Sequence, residues 1–363
     1  MRRILKRFTG LFCVLALCLS MLPVSALAAE DAPSNQPTTL LSDDNVAKIE
    51  ENEYPTLDEA VNAAEDGATI ELLADATTKG WNLTKSLTIT SAPDLAEKPT
   101  VTFEKDGIAL WGKTLTFKGI DVVMNGVGST PYGEWTWMTI CASKDAVLAL
   151  DNVNMTMDAT GSTGSPHAIY FCSNNKLNLT NGSVLTIKNY PNDALEWDGG
   201  DGGYNVNITN STFISDHNRS GFTGTFYATI TNSKVDVVNN LGNGSNGSHF
   251  IIEDSEVNFN NNGSHGLSAG ELSIDNSTVN TKNNNGMGIT VNNAFTVENG
   301  SIVTVTGNAG NSSYGYAAVR LYNDYPFTVD STSELYIEDN NNTGLYVRQG
   351  NLTVEDGAVL KIT

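Results

Sequence analysis

The acidic side chains whose spacing best fits chemistry lie in one short segment of the chain, at Asp193, Glu196, Asp198 and Asp201. If Leu195 and Trp197 point inward from a strand, the two acidic residues that alternate with them point outward. The last aspartate then falls in the Gly-rich turn beyond. Together the four form a candidate Ca²⁺ site, since Ca²⁺ takes about six to eight oxygen ligands.

The same carboxylates have two other interpretations. As an acid/base pair, the candidates would be Glu196, Asp198 and Asp201. The simplest interpretation is solubilising charge on an exposed strand and turn, so the sequence commits no residue to catalysis.

Aromatic residues are concentrated in the loop that starts at Gly128. Exposed rings are a common platform for sugar faces, so the candidate ligand-binding residues are Tyr132, Trp135, Trp137 and Tyr170, with Tyr322 and Tyr346 on later outward faces. The alternative is that the Trp residues cover an apolar strand or pack under their own loop.

The histidines point less clearly to a site. His265, in Gly263-Ser264-His265-Gly266, is predicted to lie in a stack of turns. His167 occupies the repeat position of Asp193, Ser220, Asn243 and His265. This mixture of residue types argues against a zinc site, whose ligands must converge. The two cysteines that follow the N-terminal apolar run, Cys141 and Cys172, are either two free thiols or one disulfide between coils.

A repeated phrase carries these residues: apolar-x-apolar-x, then Asn or Asp with Ser or Gly, then x-apolar-x-apolar. Its turn recurs every 22 to 33 residues, at Gly119, Asn152, Asn181, Asn210, Asn232, Asp254, Asn276, Asn299, Ser331 and Asp356. Period-2 alternation in strands of three to five residues excludes helical repeats and favours a β-solenoid. Asn suits stacked turns, because it tolerates left-handed backbone angles and can bond to the coils above and below.

One short helix is predicted before the repeats. Thr56 and Glu59 have the capping-box spacing, and Leu57, Ala60, Val61 and Ala64 share one helical face. The preceding residues 29–53 are polar and aperiodic and are predicted to be a disordered leader.

The first 28 residues have the pattern of a secretory signal peptide, with four basic residues, an apolar run and an Ala-Leu-Ala end. Its ending resembles those of Gram-positive gut anaerobes. Cleavage there would leave 16 basic against 41 acidic residues, a net charge of −25. Such a chain would repel phosphate backbones, so we expect no nucleic-acid partner. No later segment is apolar enough to span a membrane.

The segment from Tyr54 to Leu72, followed by the Asn-Ser and Asn-Gly coils, resembles the pectate-lyase-like superfamily. The resemblance covers residues 54–363. It implies an all-β right-handed parallel β-helix of about three strands per coil, with the helix capping the open N-terminal end. Enzymes of that superfamily carry clustered Asp residues in a groove, whereas no intact polygalacturonase motif occurs here.

Two functions follow as hypotheses. A repeat array without an evident catalytic cluster favours a secreted or cell-surface, adhesin-like protein that binds glycans or a host surface. The alternative is a polysaccharide lyase or glycoside hydrolase of the superfamily acting at the acidic segment. Because the chain ends within a coil phrase, at Leu360-Lys361-Ile362-Thr363, we expect a C-terminal truncation, with any anchor or catalytic module beyond it.

Overall fold

The repeated phrases wind into a right-handed parallel β-helix, described here from a computed structural model that covers residues 45–130, 137–172, 174–198, 205–309, 317–341 and 343–363. Each coil contributes one short strand to each of three sheets, and the strands pair in parallel with their counterparts in neighbouring coils. Parallel connections of this kind are right-handed because of the twist of the strands. The predicted fold class is therefore confirmed.

Along each coil the chain passes through the first, second and third sheets in that order, and a loop then leads to the first sheet of the next coil. Its strands are Ala68–Leu72, Leu87–Ser91, Thr114–Lys118, Val147–Asp151, Lys176–Thr180, Asn205–Thr209, Tyr227–Thr231, Ser248–Glu253, Leu267–Asp275, Phe295–Glu298, Pro326–Val329 and Asn351–Val354. The second sheet follows one turn later. Its 12 strands are Ala76–Thr78, Thr100–Phe103, Asp121–Asn125, Asn154–Asp158, Val184–Lys188, Thr212–Asp216, Lys234–Val238, Glu256–Asn260, Thr278–Lys282, Ile302–Thr306, Glu334–Glu338 and Val359–Ile362.

The third sheet carries the longest insertions between coils. Its strands are Trp81–Leu83, Ile108–Trp111, Met138–Ser143, His167–Cys172, Leu195–Asp198, Phe222–Thr223 and Ser245–Asn246, continued by Ile289–Val291, Ala317–Leu321 and Thr343–Val347. The strand Leu267–Asp275 pairs with both Ile289–Val291 and Phe295–Glu298. The third and first sheets are therefore continuous in the later coils.

The alternation of the phrase decides which side chains form the core. Along Val147–Asp151 and its counterparts, every second residue points inward and is buried, as Leu148 and Leu150 are. Parallel register stacks these residues into columns, for example Leu150 on Leu179. Burial of each aliphatic side chain stabilises the folded state by about 1.5–3 kcal/mol. This burial between coils stabilises strands that are too short to be stable alone.

The turns after the first sheet adopt the predicted left-handed conformation. The residues with φ between 43° and 56° at this corner are Asn152, Asn181, Asn210, Asn232, Asp254, Asn276 and Asn299. The Asn232 amide donates to Asn210 Oδ1 in the coil before it, over 2.6 Å. The Ser that follows contributes a second ladder, in which Ser233 Oγ accepts from the backbone N–H of Ser211.

A further ladder, which the sequence reasoning missed, lies at the corner after the second sheet. There a left-handed residue such as Asn261 precedes a buried Asn. Asn240 donates through its amide to Asn262 Oδ1 over 3.0 Å, and Asn262 donates to Asn284 Oδ1 over 2.9 Å. Each Oδ1 also accepts the backbone N–H of the preceding Asn in the ladder, which satisfies the polar groups of a turn buried in the core.

The N-terminal end corrects one expectation. The helix spans Leu57–Ala63, with Thr56 Oγ1 accepting from Glu59 N as predicted, and it buries Leu57, Ala60 and Val61. However, residues 45–53 are not a disordered leader, because Ala47–Ile49 and Asn52–Tyr54 form an antiparallel hairpin. Ala47–Ile49 also pairs with Ala68–Leu72, so it occupies a sheet edge that would otherwise be open. Residues 1–44, including the predicted signal peptide, lie outside the described ranges.

Close coil stacking leaves no room for a side chain at Gly107. A β-carbon on Gly107 would lie 1.6 Å from the carbonyl oxygen of Thr139 in the next coil. We expect Gly107→Ala to destabilise the protein by about 1–3 kcal/mol, the usual cost of overpacking, measured as a lower urea midpoint. Gly128→Ala is the control, because its β-carbon would meet nothing closer than 3.8 Å. Equal midpoints for the two variants would contradict this account of coil spacing.

Candidate functional site on the third sheet

Three ionisable side chains from two successive coils converge on the outer face of the third sheet. His167 begins the strand His167–Cys172, and parallel register places Ile169 beside Leu195 and Tyr170 beside Glu196. By the same register, Asp193 lies beside His167. One ligating atom from each of His167, Asp193 and Glu196 lies within 4.8 Å of the others. We call these three residues the His167 cluster.

The local sequence explains why these side chains face outward. Ala168 and Ala194 are fully buried, as are Leu195 and, almost completely, Trp197. The Trp197 ring stacks inside the helix on Phe171, with centroids 4.5 Å apart. The predicted inward orientation of Leu195 and Trp197 is confirmed, and Glu196 between them is turned away from the core.

The His167 cluster is unusually buried for an outer face. The exposed side-chain fractions are 10% for His167, 5% for Asp193 and 20% for Glu196. His167 Nδ1 lies 3.9 Å from Asp193 Oδ2 and touches Glu196 Oε2. His167 and Glu196 are therefore an ion pair, whereas Asp193 Oδ1 is buried without a hydrogen-bond donor.

The surroundings of Asp193 make ionisation of its carboxyl less favourable than in water. Loss of hydration on burial raises the pKa of the Asp193 carboxyl, and the nearby Glu196 raises it further. His167, Ser220 and Arg219 act in the opposite direction but do not cancel the shift. The cluster therefore has a deficit of positive charge and of hydrogen-bond donors.

Trp137 borders this cluster and remains partly open to solvent. Its ring centroid lies 5.1 Å from that of His167 and 5.0 Å from that of Tyr170, both edge-on, and 38% of the residue is exposed. This agrees with its selection as a ligand-binding residue. Tyr170 is only 1% exposed and packs with Met138 and Cys141, so it supports Trp137 and offers no ring face to a ligand.

The other predicted site residues are placed as follows. Asp201, Tyr132 and Trp135 lie outside the described residues, and of Asp198 only the backbone, at the end of the strand Leu195–Asp198, is described. The four-carboxylate Ca²⁺ site is thus represented by Asp193 and Glu196 alone, and the structure adds a histidine to them. On later coils, Arg320 packs over the ring of Tyr322 at 3.9 Å and lies 5.7 Å from that of Tyr346.

Cys141 and Cys172 are not joined by a disulfide. Cys141 is a buried free thiol, and its register partner in the next coil is Tyr170. Burial raises the pKa of the Cys141 thiol to about 12, with a smaller contribution from Cys172. Of the two alternatives, the structure has separate thiols, and that of Cys141 is unreactive.

The repeat position shared by His167, Asp193 and His265 forms the expected column, but two of its members lie closer together than the sequence indicated. His265 does lie in a turn stack, where its backbone N–H donates to Asn243 Oδ1 and its Nδ1 accepts from Met287 N. At the other end of the column, His167 converges with Asp193, contrary to expectation. Sequence reasoning aligned these two residues correctly and grouped Glu196 with Asp193, but it did not place Glu196 beside His167, which its longer side chain reaches in the preceding coil.

Among the residues described, no helix is long and apolar enough to cross a membrane.

The chain was also compared with known proteins. No protein-family model matches it, and no curated protein is significantly similar. Among solved structures, it is similar to a double mutant of the periplasmic alginate epimerase AlgG, with 8% identity over 82% of this chain and 86% of that chain, and a TM-score of 0.23. A TM-score this low carries no argument about activity, so the assignment of a site depends on the geometry above.

Proposed function

We propose that this protein binds a glycan chain on the outer face of the third sheet and cleaves it at the His167 cluster. One observation carries the proposal: a partly exposed Trp137 ring adjoins three buried ionisable groups. An indole presents a large apolar face with a polar edge, which suits the apolar faces of sugar rings. The adjacent carboxylates supply groups that can take or donate a proton during cleavage.

The fold itself does not require these charges. In the next two coils, the position of Asp193 is occupied by Ser220 and Asn243, and that of Glu196 by Thr223 and Asn246. The coil therefore forms equally well with small neutral side chains at these two positions. Burying carboxylates costs free energy unless they are paired, so their presence in one coil favours a functional role.

Glycan binding without turnover is the second candidate. It is supported by the exposure of Trp137, which is sufficient for stacking a sugar whether or not a bond is broken. This is the adhesin-like function expected from the repeat array. A depolymerisation screen on a panel of glycans separates the two, because only cleavage releases new reducing ends or unsaturated products.

Both functions are consistent with an extracellular location. We propose export through the N-terminal signal peptide, on the basis of its basic residues, apolar run and Ala-Leu-Ala end. Expression of the full chain in a Gram-positive host, followed by N-terminal sequencing of protein from the medium, tests this. A mature N-terminus at residue 29 or 30 supports export, whereas protein retained in cells with Met1 intact contradicts it.

The aromatic contact gives a direct prediction. We expect Trp137→Ala to weaken glycan binding about tenfold, equivalent to about 1.4 kcal/mol, because a stacking face is lost. Trp137→Phe should retain part of the affinity. Tyr227→Ala is the control, since Tyr227 is 44% exposed on the first sheet and stacks on His249 away from the cluster. Equal affinities of the Trp137→Ala variant and the unaltered protein would place the glycan elsewhere.

A further inference from the structure

We infer that the His167 cluster binds one divalent first-row transition-metal ion, for which Zn²⁺ is the reference probe. The ligands are one imidazole nitrogen and two carboxylates, held on neighbouring coils within 4.8 Å of one another. This inference deepens the proposed function by naming the group that would polarise a bound glycan. Only the polarisation of a bound glycan rests on the proposed function, because binding of the cation itself is measured without a glycan.

A second observation points to a cation at the same place. Asp193 is only 3% exposed, and its Oδ1 has no hydrogen-bond donor. His167 Nδ1 and Glu196 Oε2 are in direct contact as an ion pair, and neither has a hydrogen-bond partner apart from this contact. A buried acceptor without a partner destabilises the fold. A cation bound at this cluster would give Asp193 Oδ1 a partner and offset the like charges of the two carboxylates.

The donor set selects the class of metal. Ca²⁺ prefers six to eight oxygen ligands, whereas imidazole nitrogen favours transition metals such as Zn²⁺. The presence of His167 beside Asp193 and Glu196 therefore changes the expected ion from Ca²⁺ to a transition metal. Among the described residues the cluster offers three ligands, and three protein ligands with an open position for water or a sugar oxygen are typical of catalytic zinc.

Calorimetry on the metal-free full-length protein tests the inference. We expect one equivalent of Zn²⁺ to bind, while Ca²⁺ and Mg²⁺ bind at least about tenfold more weakly. His167→Gln and Glu196→Gln should each weaken Zn²⁺ binding about 100-fold. His217→Gln should leave it unchanged, because His217 forms an exposed pair with Asp216 and has no second carboxylate partner. Zn²⁺ should also raise the melting temperature of the unaltered protein and of the His217→Gln variant only.

X-ray absorption at the zinc edge covers the case in which a variant fails to fold. The unaltered protein should show one imidazole among nitrogen and oxygen ligands. No stoichiometric binding, a spectrum without imidazole, or undiminished binding in folded His167→Gln would each overturn the inference. The last outcome would mean that Zn²⁺ is held by scattered surface carboxylates of a chain with a net charge of −21.

The same samples distinguish this inference from the proposed function. Cleavage that continues in metal-free protein would contradict a role for the metal and would support glycan cleavage by the protein alone. Stoichiometric Zn²⁺ binding without cleavage of any glycan would retain the metal site and refute the enzyme. Cleavage that is lost with chelator and restored by Zn²⁺ would support both.

Discussion

Replacing Glu196 by Gln is expected to lower the rate of glycan cleavage by about 10²–10⁴-fold, the usual contribution of a group that transfers or positions a proton. Glu196 is the most exposed member of the His167 cluster, and it lies in the strand Leu195–Asp198 next to Tyr170. A bound sugar therefore reaches it before Asp193. The isosteric amide preserves the size of the side chain and removes its charge, so loss of activity would not require a change of shape.

The measurement is the initial rate of release of reducing ends and of unsaturated products, using the glycan that the screen identifies. Glu271→Gln is the matched control, because Glu271 is 54% exposed and lies 3.7 Å from another histidine, His249. Asp193→Asn is the companion variant within the cluster. If Glu196→Gln cleaves glycan as fast as Glu271→Gln does, the reaction centre lies elsewhere.

Interrupting the buried Asn ladder should have the largest effect on stability. We expect Asn262→Ala to lower the free energy of unfolding by about 3–5 kcal/mol, since unpartnered buried groups cost about 1–3 kcal/mol each. The change removes the acceptor of the Asn240 backbone N–H and of its side-chain amide. It also leaves the carbonyl of Val237 without its donor and creates a cavity.

Urea unfolding followed by circular dichroism measures this effect. Asn258→Ala is the control, because Asn258 also belongs to an amide ladder, donating to Asp236 Oδ1, but on the solvent side of the second sheet. We expect it to cost less than about 1 kcal/mol. Since coils interact mainly with their neighbours, the Asn262→Ala variant should lose structure near its own coil first. Similar midpoints for the two variants would show that the buried ladder contributes no more than the exposed one.

The sequence predicted the parts of this protein that depend on short-range patterns. Alternation of apolar and polar residues repeats with every coil, so it indicated inward residues such as Leu195 and Trp197 without any knowledge of their neighbours. The left-handed turns at Asn210 and Asn232 were predictable for the same reason, because backbone preference is a property of the residue type. The helix at Leu57–Ala63 followed from its capping residues and its apolar face.

Contacts between coils were decided only by the tertiary structure. Aligning the repeats placed His167 beside Asp193, but no local pattern shows that Glu196 reaches back to the same point or that Trp137 closes over it. The hairpin at Ala47–Tyr54 likewise forms in a polar, aperiodic segment because an open sheet edge accepts its hydrogen bonds. A residue's own sequence neighbourhood specifies whether it faces inward or outward. Which outward side chains meet depends on coil register, loop length and side-chain reach, and these are settled only when the coils stack.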